Sequence, residues 1–454
     1  MTNIIFILID DMGWRDLGCY KSSFYETPCI DKLAQEGMLF DNAYAACPVC
    51  SPSRASLMSG KYPARVGVTD WIGAHTQGKL IDAPYIKHLP LEEKSIATVL
   101  RENGYATWHV GKWHLGTKEY YPENHGFDIN IGGNHLGHPH HGYFSPWKLD
   151  NLEEGPEGEY LTDRLTNEAI KLIKHRDCNK PFFLNLWHYT VHTPVQAKPE
   201  DIHYFKEKSR TLGLDQLEAF EEGAFFPCDH KKNEKILRRK IQSDPTYAAM
   251  IYNLDQNTQR LIKALEDEGI LEDTLILFTS DNGGLATSEG SPTCNFPLNE
   301  GKGWVYEGGI REPLIAYWKG KIHPGCISNK VITSPDFYPT LLDIAGIPQI
   351  PEQHIDGESF LHELKGNKKD RLSPVFWHYP HYGNQGGTPA SAIRSGDYKL
   401  IYKYEDETYE LYNLAEDISE QHDLSQTHRD IAENLLMMLK EWIEQVQGKI
   451  PEKA

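Results

Sequence analysis

The stretch Asn3-Ile4-Ile5-Phe6-Ile7-Leu8-Ile9-Asp10-Asp11 is an uninterrupted apolar run that ends abruptly in two carboxylates. Such a run is typical of a strand buried on both faces, as in a parallel sheet covered by helices. In these sheets ligands bind at the carboxyl ends of the strands. Asp10 and Asp11 are therefore candidate ligands for a hard divalent cation, and capping of a turn is the alternative.

Other apolar runs further along the chain predict more strands of this kind, at 105–110, 181–187, 274–279 and 314–318. The first three lead into polar residues, which are Lys112 and His114, then His188 and His192, then Asp281 and Asn282. Amphipathic segments predict helices at 27–37, 95–103, 161–175, 247–265 and 334–345. We therefore expect an α/β fold in which a large, mostly parallel sheet is sandwiched by helices.

The pattern changes after about residue 366. Segments 392–402 and 409–412 predict antiparallel strands, and 431–446 predicts a terminal amphipathic helix. We expect a catalytic domain over 1–366 and a C-terminal subdomain over 367–454, formed by a small antiparallel sheet with a helix. The charged stretch 200–245 is interpreted as an insertion with a solvated face and no chemistry of its own.

Composition and charge limit the classes of partner that the chain is expected to bind. The chain has 454 residues and a formal net charge of -19, which argues against nucleic acid or an anionic membrane as the main partner. Its longest apolar run is too short to span a membrane. No basic region precedes that run, so no signal peptide is indicated and a cytoplasmic location is expected. The eight scattered cysteines suit a reduced protein.

Residues 47–60 read Cys-Pro-Val-Cys-Ser-Pro-Ser-Arg-Ala-Ser-Leu-Met-Ser-Gly. Ser51 followed by proline predicts the cap and first position of a short helix that Gly60 ends. Cys50 then lies just before the helix, where free N–H groups and the helix dipole favour an anion and activate a thiol. Arg54 adds a cation. A buried structural cysteine fits this stretch equally well, and the C-x-x-C spacing leaves a redox dithiol open.

A loop at 134–146 carries four histidines, which are His135, His138, His140 and His141. Zinc is one reading, but no cysteine accompanies them and Pro139 breaks any helical spacing. We favour a loop on the rim of a pocket that contacts substrate, with a plain surface loop as the alternative.

Together these motifs resemble the type I sulfatases, the formylglycine-dependent members of the alkaline phosphatase superfamily. The resemblance rests on Asp10-Asp11, Cys50-Ser51-Pro52-Ser53-Arg54, Gly111-Lys112-Trp113-His114, His192-Thr193-Pro194, Ser280-Asp281-Asn282-Gly283, Gly301-Lys302 and Glu307-Gly308-Gly309. It spans nearly the whole chain apart from 200–245. It implies an alkaline-phosphatase-like fold and hydrolysis of sulfate monoesters.

The resemblance also implies a chemistry. In that family a separate formylglycine-generating enzyme oxidises the signature cysteine to an aldehyde, whose hydrate attacks sulfur; Cys50 matches that cysteine. A Ca²⁺ site, with Mg²⁺ as the alternative, is implied at Asp10, Asp11, Cys50, Asp281 and Asn282. Catalytic roles are implied for Cys50, Arg54, Lys112, His114, His192 and Lys302.

The histidine loop resembles loops of carbohydrate sulfatases, so we expect a sulfated sugar of galactose or N-acetylgalactosamine type. The predicted substrate contacts are His135, His138, His141, His378 and His381. Two alternatives stay open: a phosphonate or phosphodiester hydrolase of the same superfamily, and a non-catalytic carbohydrate-binding relative. The complete set of matched residues argues against the second. No oligomeric state follows from the sequence.

Overall fold

The computed structural model describes residues 2–75 and 77–453. The strands are β1 (Asn3–Ile9), β2 (Met38–Tyr44), β3 (Leu80–Ile81), β4 (Ala106–Gly111), β5 (Ile129–Ile131), β6 (Phe182–Trp187), β7 (Phe220–Phe225), β8 (Lys235–Arg239), β9 (Thr274–Ser280), β10 (Arg311–Tyr317), β11 (Cys326–Ser328), β12 (Ile332–Thr333), β13 (Val375–Tyr379), β14 (Ala390–Ser395), β15 (Tyr398–Lys403), β16 (Thr408–Asn413) and β17 (Glu452–Lys453). The α-helices are α1 (Pro28–Glu36), α2 (Cys50–Ser59), α3 (Pro63–Val66), α4 (Ile96–Glu102), α5 (Leu161–Lys174), α6 (Pro199–Thr211), α7 (Pro245–Asp267), α8 (Glu307–Ile310), α9 (Phe337–Ala345), α10 (Leu361–Leu364) and α11 (Arg429–Gln445). None of these helices is both long and apolar enough to cross a membrane.

The central sheet has the strand order β11-β2-β10-β9-β1-β6-β4-β5, with β12 also paired to β2. β1 runs parallel to both β9 and β6, and β4 runs parallel to β6 and β5. Only β10 runs against its neighbours β9 and β2 within this part of the described chain. The expected mostly parallel sheet is confirmed.

The position of β1 between two layers of helices explains why its sequence does not alternate between apolar and polar residues. Ile5, Ile7 and Ile9 pack into the core that α1, α5, α6 and α7 cover. The alternate residues Ile4, Phe6 and Leu8 pack into the core under α2, α4 and α9. Since successive side chains of a strand point to opposite faces, a strand in the middle layer must be apolar at every position.

The small C-terminal sheet has the order β13-β14-β15-β16, and all its pairs are antiparallel. Helix α11 packs on it through buried Leu435, Leu439 and Trp442. The ring of Trp442 stacks on Phe376 at a centroid distance of 4.5 Å. Strand β13, which carries Phe376, was not among the predicted strands.

Two segments differ from the sequence interpretation. Strand β2 occupies 38–44, a stretch that was not among the predicted strands because Asp41 and Asn42 interrupt its apolar pattern. The supposed irregular insertion at 200–245 contains helix α6, whose buried Phe205 lies in the core with residues of α7, and the antiparallel pair β7-β8. The charged composition of 200–245 does not indicate these elements, because most side chains of the β7-β8 hairpin face solvent.

Candidate active site

The strand register brings the predicted oxygen ligands together. β1 and β9 are parallel, with Ile9 opposite Ser280, so the residues that follow each strand emerge side by side. The backbone N–H of Asp11 donates to Asp281 Oδ1 at 3.2 Å. Asn282 Nδ2 donates to Asp11 Oδ1 at 2.9 Å. Asp10, Asp11, Asp281 and Asn282 thus form one buried cluster at the carboxyl edge of the sheet.

Three buried cations hold this cluster. Lys112 Nζ, from the end of β4, lies 2.7 Å from Asp10 Oδ2. Lys302 Nζ lies 2.7 Å from Asp11 Oδ2. Arg54, on α2, places Nη2 2.8 Å from Asp281 Oδ2 and 3.8 Å from Asp10 Oδ1.

The two aspartates after β1 differ in their proton affinity. Burial raises the pKa of Asp10 well above its usual value, and Asp281 and Asp11 add to the shift that Lys112 opposes. Burial acts in the same direction on Asp11, but Lys302, His192 and Lys112 outweigh it and lower the pKa of Asp11. The cations near Asp11 therefore outweigh the effect of its burial, whereas those near Asp10 do not.

The donor set fits a divalent cation. Asp10 Oδ1 and Asn282 Oδ1 are buried and have no hydrogen-bond partner. An orphaned buried oxygen is costly unless it binds something, and oxygen ligands are those that Ca²⁺ and Mg²⁺ prefer. His192 also comes near Asp10 and Asp11. However, Lys302 Nζ lies 3.1 Å from His192 Nε2 and occupies its lone pair, so we favour the oxygen set.

Helix α2 begins at Cys50 rather than after it, because Val49 is the N-cap. The prediction that Ser51 caps the helix is wrong. Its hydroxyl instead accepts from the Ile72 N–H at 3.1 Å and lies 3.2 Å from His114 Nδ1. Gly60 ends the helix in the left-handed conformation, as predicted, with φ of 70°.

His114 faces Cys50 through a defined nitrogen. Its Nε2 lies 2.9 Å from the carbonyl oxygen of Ile72, which only accepts, so Nε2 carries the hydrogen. Nδ1 then presents a lone pair 3.3 Å from Cys50 Sγ. Burial, assisted by Lys112, lowers the pKa of His114 well below its usual value, and burial raises the pKa of the Cys50 thiol.

A pocket of about 460 Å³ opens above these groups. Its floor is formed by Cys50, His114, His192 and Lys302. Arg54 and Lys112 do not line the pocket, because both lie beneath the floor with fully buried side chains. The structure thus brings all the predicted catalytic residues together, in two layers.

The predicted substrate histidines divide into two groups. His135 and His138 line the pocket, and burial with His140 nearby lowers the pKa of His138 to about 4. His141 is exposed and is not among the lining residues. His188, suggested by its place after β6, is buried and does not line the pocket either.

The predictions for His378 and His381 are wrong. His378 lies in the C-terminal sheet, with Nδ1 2.7 Å from Ser391 Oγ and Nε2 2.8 Å from the Lys449 carbonyl oxygen. His381 is buried and bonds Asp82 and Thr69. Both imidazoles have their nitrogens engaged in internal hydrogen bonds, so neither faces a ligand.

His140, in the predicted rim loop, and Thr193, next to His192, also line the pocket, although neither was named as a substrate contact. The lining residues that escaped the sequence interpretation include Trp71, Ile72, Gly73, Glu289, Asn384 and Gln385. They lie on loops far apart in the chain, and no spacing connects them before the fold is known.

Comparisons with known proteins agree with this geometry. The family model described as Sulfatase matches residues 2–347. A second model, described as N-sulphoglucosamine sulphohydrolase, C-terminal, matches residues 300–449. The two matches together extend over both the central sheet and the C-terminal sheet.

The chain is similar to known proteins over most of its length. It is 32% identical to a sulfatase of Formosa agariphila, covering 97% of this chain and 88% of the relative. It is 31% identical to the N-acetylgalactosamine-6-sulfatase of Homo sapiens, covering 83% and 68%. Among solved structures, Ps i-CgsB in complex with k-i-k-neocarrahexaose has a TM-score of 0.76 at 30% identity, covering 97% of this chain and 92% of that one.

Proposed function

This chain belongs to the sulfatase family and is a sulfuric ester hydrolase, and on that premise we propose that it cleaves sulfate monoesters of a galactose- or N-acetylgalactosamine-type sugar with a nucleophile made from Cys50. One observation carries the proposal. Cys50 is the first residue of α2, on the pocket floor, with Sγ 3.3 Å from His114 Nδ1.

Formylglycine is general to the family, and we propose Cys50 as the residue that a formylglycine-generating enzyme converts in this chain. The unmodified thiol is a poor nucleophile here, because burial raises its pKa and so disfavours the thiolate. This supports Cys50 as a precursor rather than as the reacting group.

The chain's own residues then bind the sulfate. Lys302 and His192 line the pocket floor, and helix α2 begins there with Cys50. Lys112 and Arg54, beneath the floor, hold Asp10 and Asp281 in place and add positive potential. These local cations explain how a chain of net charge -19 binds an anion.

Two groups move protons. His114 Nδ1 takes the proton of the side chain at position 50 as sulfate is released. We assign protonation of the departing sugar oxygen to the Lys302 ammonium, which lines the pocket and also donates to His192 Nε2. The Ile72 carbonyl and the Ser51 hydroxyl keep the His114 ring in its orientation.

Asp10, Asp11, Asp281 and Asn282, with the side chain at position 50, would hold the cation, which we propose to be Ca²⁺. When bound, it neutralises sulfate charge and lowers the pKa of a group that it coordinates. The orphaned oxygens of Asp10 and Asn282 support this assignment.

The sugar assignment rests on the pocket and on the relatives. Histidine and tryptophan side chains line the walls, a composition that suits a ring with hydroxyl groups. N-acetylgalactosamine-6-sulfatase is the name of one relative, and a similar solved structure is a complex with k-i-k-neocarrahexaose.

The test is expression with and without a formylglycine-generating enzyme, followed by mass spectrometry of the Cys50 peptide and assays on paired 4-nitrophenyl sulfate and phosphodiester substrates. We expect the mass loss of a thiol-to-aldehyde conversion, and sulfate hydrolysis that rises with its extent. Full activity with an unmodified thiol, or a strong phosphodiester preference, would contradict the proposal.

A further inference from the structure

One wall of the pocket differs chemically from the cationic floor. It consists of Glu289, Asn384 and Gln385, which we call the acceptor wall. Glu289 is the one carboxylate among the described residues that line the pocket, and its side chain is exposed to the pocket solvent. A carboxylate beside an anion site repels a bound sulfate. Glu289 is therefore expected to offset this repulsion through a favourable contact with another part of the substrate.

The geometry leaves Glu289 ready to accept more hydrogen bonds. Thr193 Oγ1 donates to its Oε2 at 3.3 Å, and Gln385 Nε2 donates to its Oε1 at 3.1 Å. Each carboxylate oxygen has two lone-pair positions, so one position on each oxygen stays open. Two adjacent acceptors of this kind match two neighbouring hydroxyl groups of a sugar.

Gln385 supports the carboxylate of Glu289 within the same wall. It is 4% exposed, and its side-chain amide donates from Nε2 to Glu289 Oε1. This contact holds the carboxylate in place from the buried side. The open positions of the Glu289 carboxylate are acceptors, which hydroxyl hydrogens satisfy and sulfate oxygens repel.

The wall is also braced from behind. Lys231 Nζ, from the charged segment after β7, donates to Ser288 Oγ at 2.9 Å and to the Asn384 carbonyl oxygen at 3.0 Å. Lys231 thus links Ser288, which precedes Glu289, to Asn384, which precedes Gln385. Glu289 itself has a φ of 54°, a strained conformation for a residue other than glycine. This brace gives the insertion at 200–245 a role that its sequence does not reveal.

We infer that the acceptor wall determines specificity by binding free hydroxyl groups of the sugar next to the ester and by rejecting a second sulfate there. The inference rests on the proposed function and names the substrate class more narrowly: a monosulfated sugar unit whose hydroxyls beside the reacting ester are free. Glu289 is the main acceptor, and Lys231 is a positioning residue.

The experiment uses the formylglycine-bearing wild type and Glu289→Gln, an isosteric change. kcat/KM is measured on 4-nitrophenyl sulfate, on the best substrate of a panel of galactose, N-acetylgalactosamine and glucosamine monosulfates, and on its disulfated counterpart. Loss of charge-assisted hydrogen bonds lowers kcat/KM for the monosulfated sugar about 10- to 100-fold more than for the aryl ester. The ratio of kcat/KM for the monosulfated sugar to that for the disulfated sugar falls by about tenfold in Glu289→Gln.

Glu157→Gln is the matched control, because Glu157 is exposed and lies outside the pocket lining. It leaves kcat/KM unchanged on all three substrates. Equal losses by Glu289→Gln on all three, or none on the sugar, would overturn the inference. The inference would also be overturned if the wild type hydrolysed the aryl ester but none of the sugars in the panel. That result would leave the sulfatase assignment intact. Failure on every sulfate ester would refute the proposed function itself.

Lys231→Met separates positioning from contact. The side chain reaches no substrate, so we expect a KM for the monosulfated sugar raised about threefold to tenfold with kcat nearly constant. Aryl sulfate kinetics change less than those of the sugar. A fall in kcat on both substrates would mean that Lys231 supports the general structure and not the wall.

Discussion

The protein contains two buried clusters of charge, and they are built differently. The active-site cluster joins Asp10, Asp11 and Asp281 to Arg54, Lys112 and Lys302. The second, which we call the interface cluster, links helix α8, which directly precedes β10, to the C-terminal sheet. In it Lys399 Nζ lies 2.9 Å from Glu307 Oε1 and 2.8 Å from Glu420 Oε1, and all three side chains are fully buried.

The interface cluster is closed. Glu307 Oε2 accepts from Tyr44 and Arg311, and the Glu307 N–H donates to Glu420 Oε2 at 2.7 Å. The active-site cluster is open, because the oxygens Asp10 Oδ1 and Asn282 Oδ1 have no partner. A closed buried network fixes a packing arrangement, whereas an open one retains binding capacity at a cost in stability. The same residue types therefore serve structure in one place and chemistry in the other.

The largest expected effect comes from removing the group that the open cluster serves. Cys50→Ala leaves no side chain to convert into the nucleophile, so we expect kcat/KM on 4-nitrophenyl sulfate to fall by at least about 10³-fold. The midpoint of urea unfolding changes little, since alanine fits the space. Steady-state kinetics and circular dichroism measure the two quantities.

Cys47→Ala is the matched control. Cys47 is also buried, three residues earlier, and does not line the pocket. It keeps wild-type kinetics. Equal losses in the two variants would revive the C-x-x-C pair as the functional unit.

The closed cluster predicts a large effect on stability instead. Lys399→Met leaves Glu307 and Glu420 buried without their shared cation, which costs about 3–5 kcal/mol of unfolding free energy. Urea unfolding followed by tryptophan fluorescence measures it. The exposed Lys368→Met serves as control and changes the unfolding free energy by less than about 0.5 kcal/mol.

We expect the open cluster to respond to a metal and the closed one not to. At a hundredfold excess over Kd, Ca²⁺, the proposed ion, is expected to stabilise the wild type by about 2.7 kcal/mol relative to chelated protein. Asn282→Ala removes one of the oxygens without a partner and reduces this increment, whereas Lys399→Met retains it. Urea titrations with Ca²⁺ and with a chelator measure the difference. An increment that persists in Asn282→Ala would place the ion elsewhere.

Much of the open cluster could be predicted because it lies at strand ends. The apolar runs of β1, β4 and β9 identify buried parallel strands, and the residues after each must meet at one edge of the sheet. The resemblance to type I sulfatases added the proposal that Cys50 is the precursor of the nucleophile. Neither source reveals that Cys50 starts its helix or that Ser51 contacts His114, and the second of these depends on Ile72, which bonds both side chains.

The rest of the pocket could not be predicted, for a topological reason. Glu289 and Gln385 are 96 residues apart, and they meet through loops that the strand pattern does not constrain. The interface cluster was missed as well, since Lys399 reads as one residue of an alternating hairpin. Residue type alone also misled the assignment of His378, because histidines suit both sugar binding and internal hydrogen bonding.

The smallest expected effect tests whether His378 has a structural role or binds substrate. His378→Ala removes bonds to Ser391 and to the Lys449 carbonyl, so we expect a loss of about 1–3 kcal/mol of unfolding free energy. Kinetics on sulfated sugars stay at wild-type values, because the ring lies outside the pocket lining. His138→Ala is the counterpart in the pocket wall, and there KM rises while stability changes little. A sugar-specific KM effect in His378→Ala would return this histidine to the substrate site and remove the contrast between a structural and a binding imidazole.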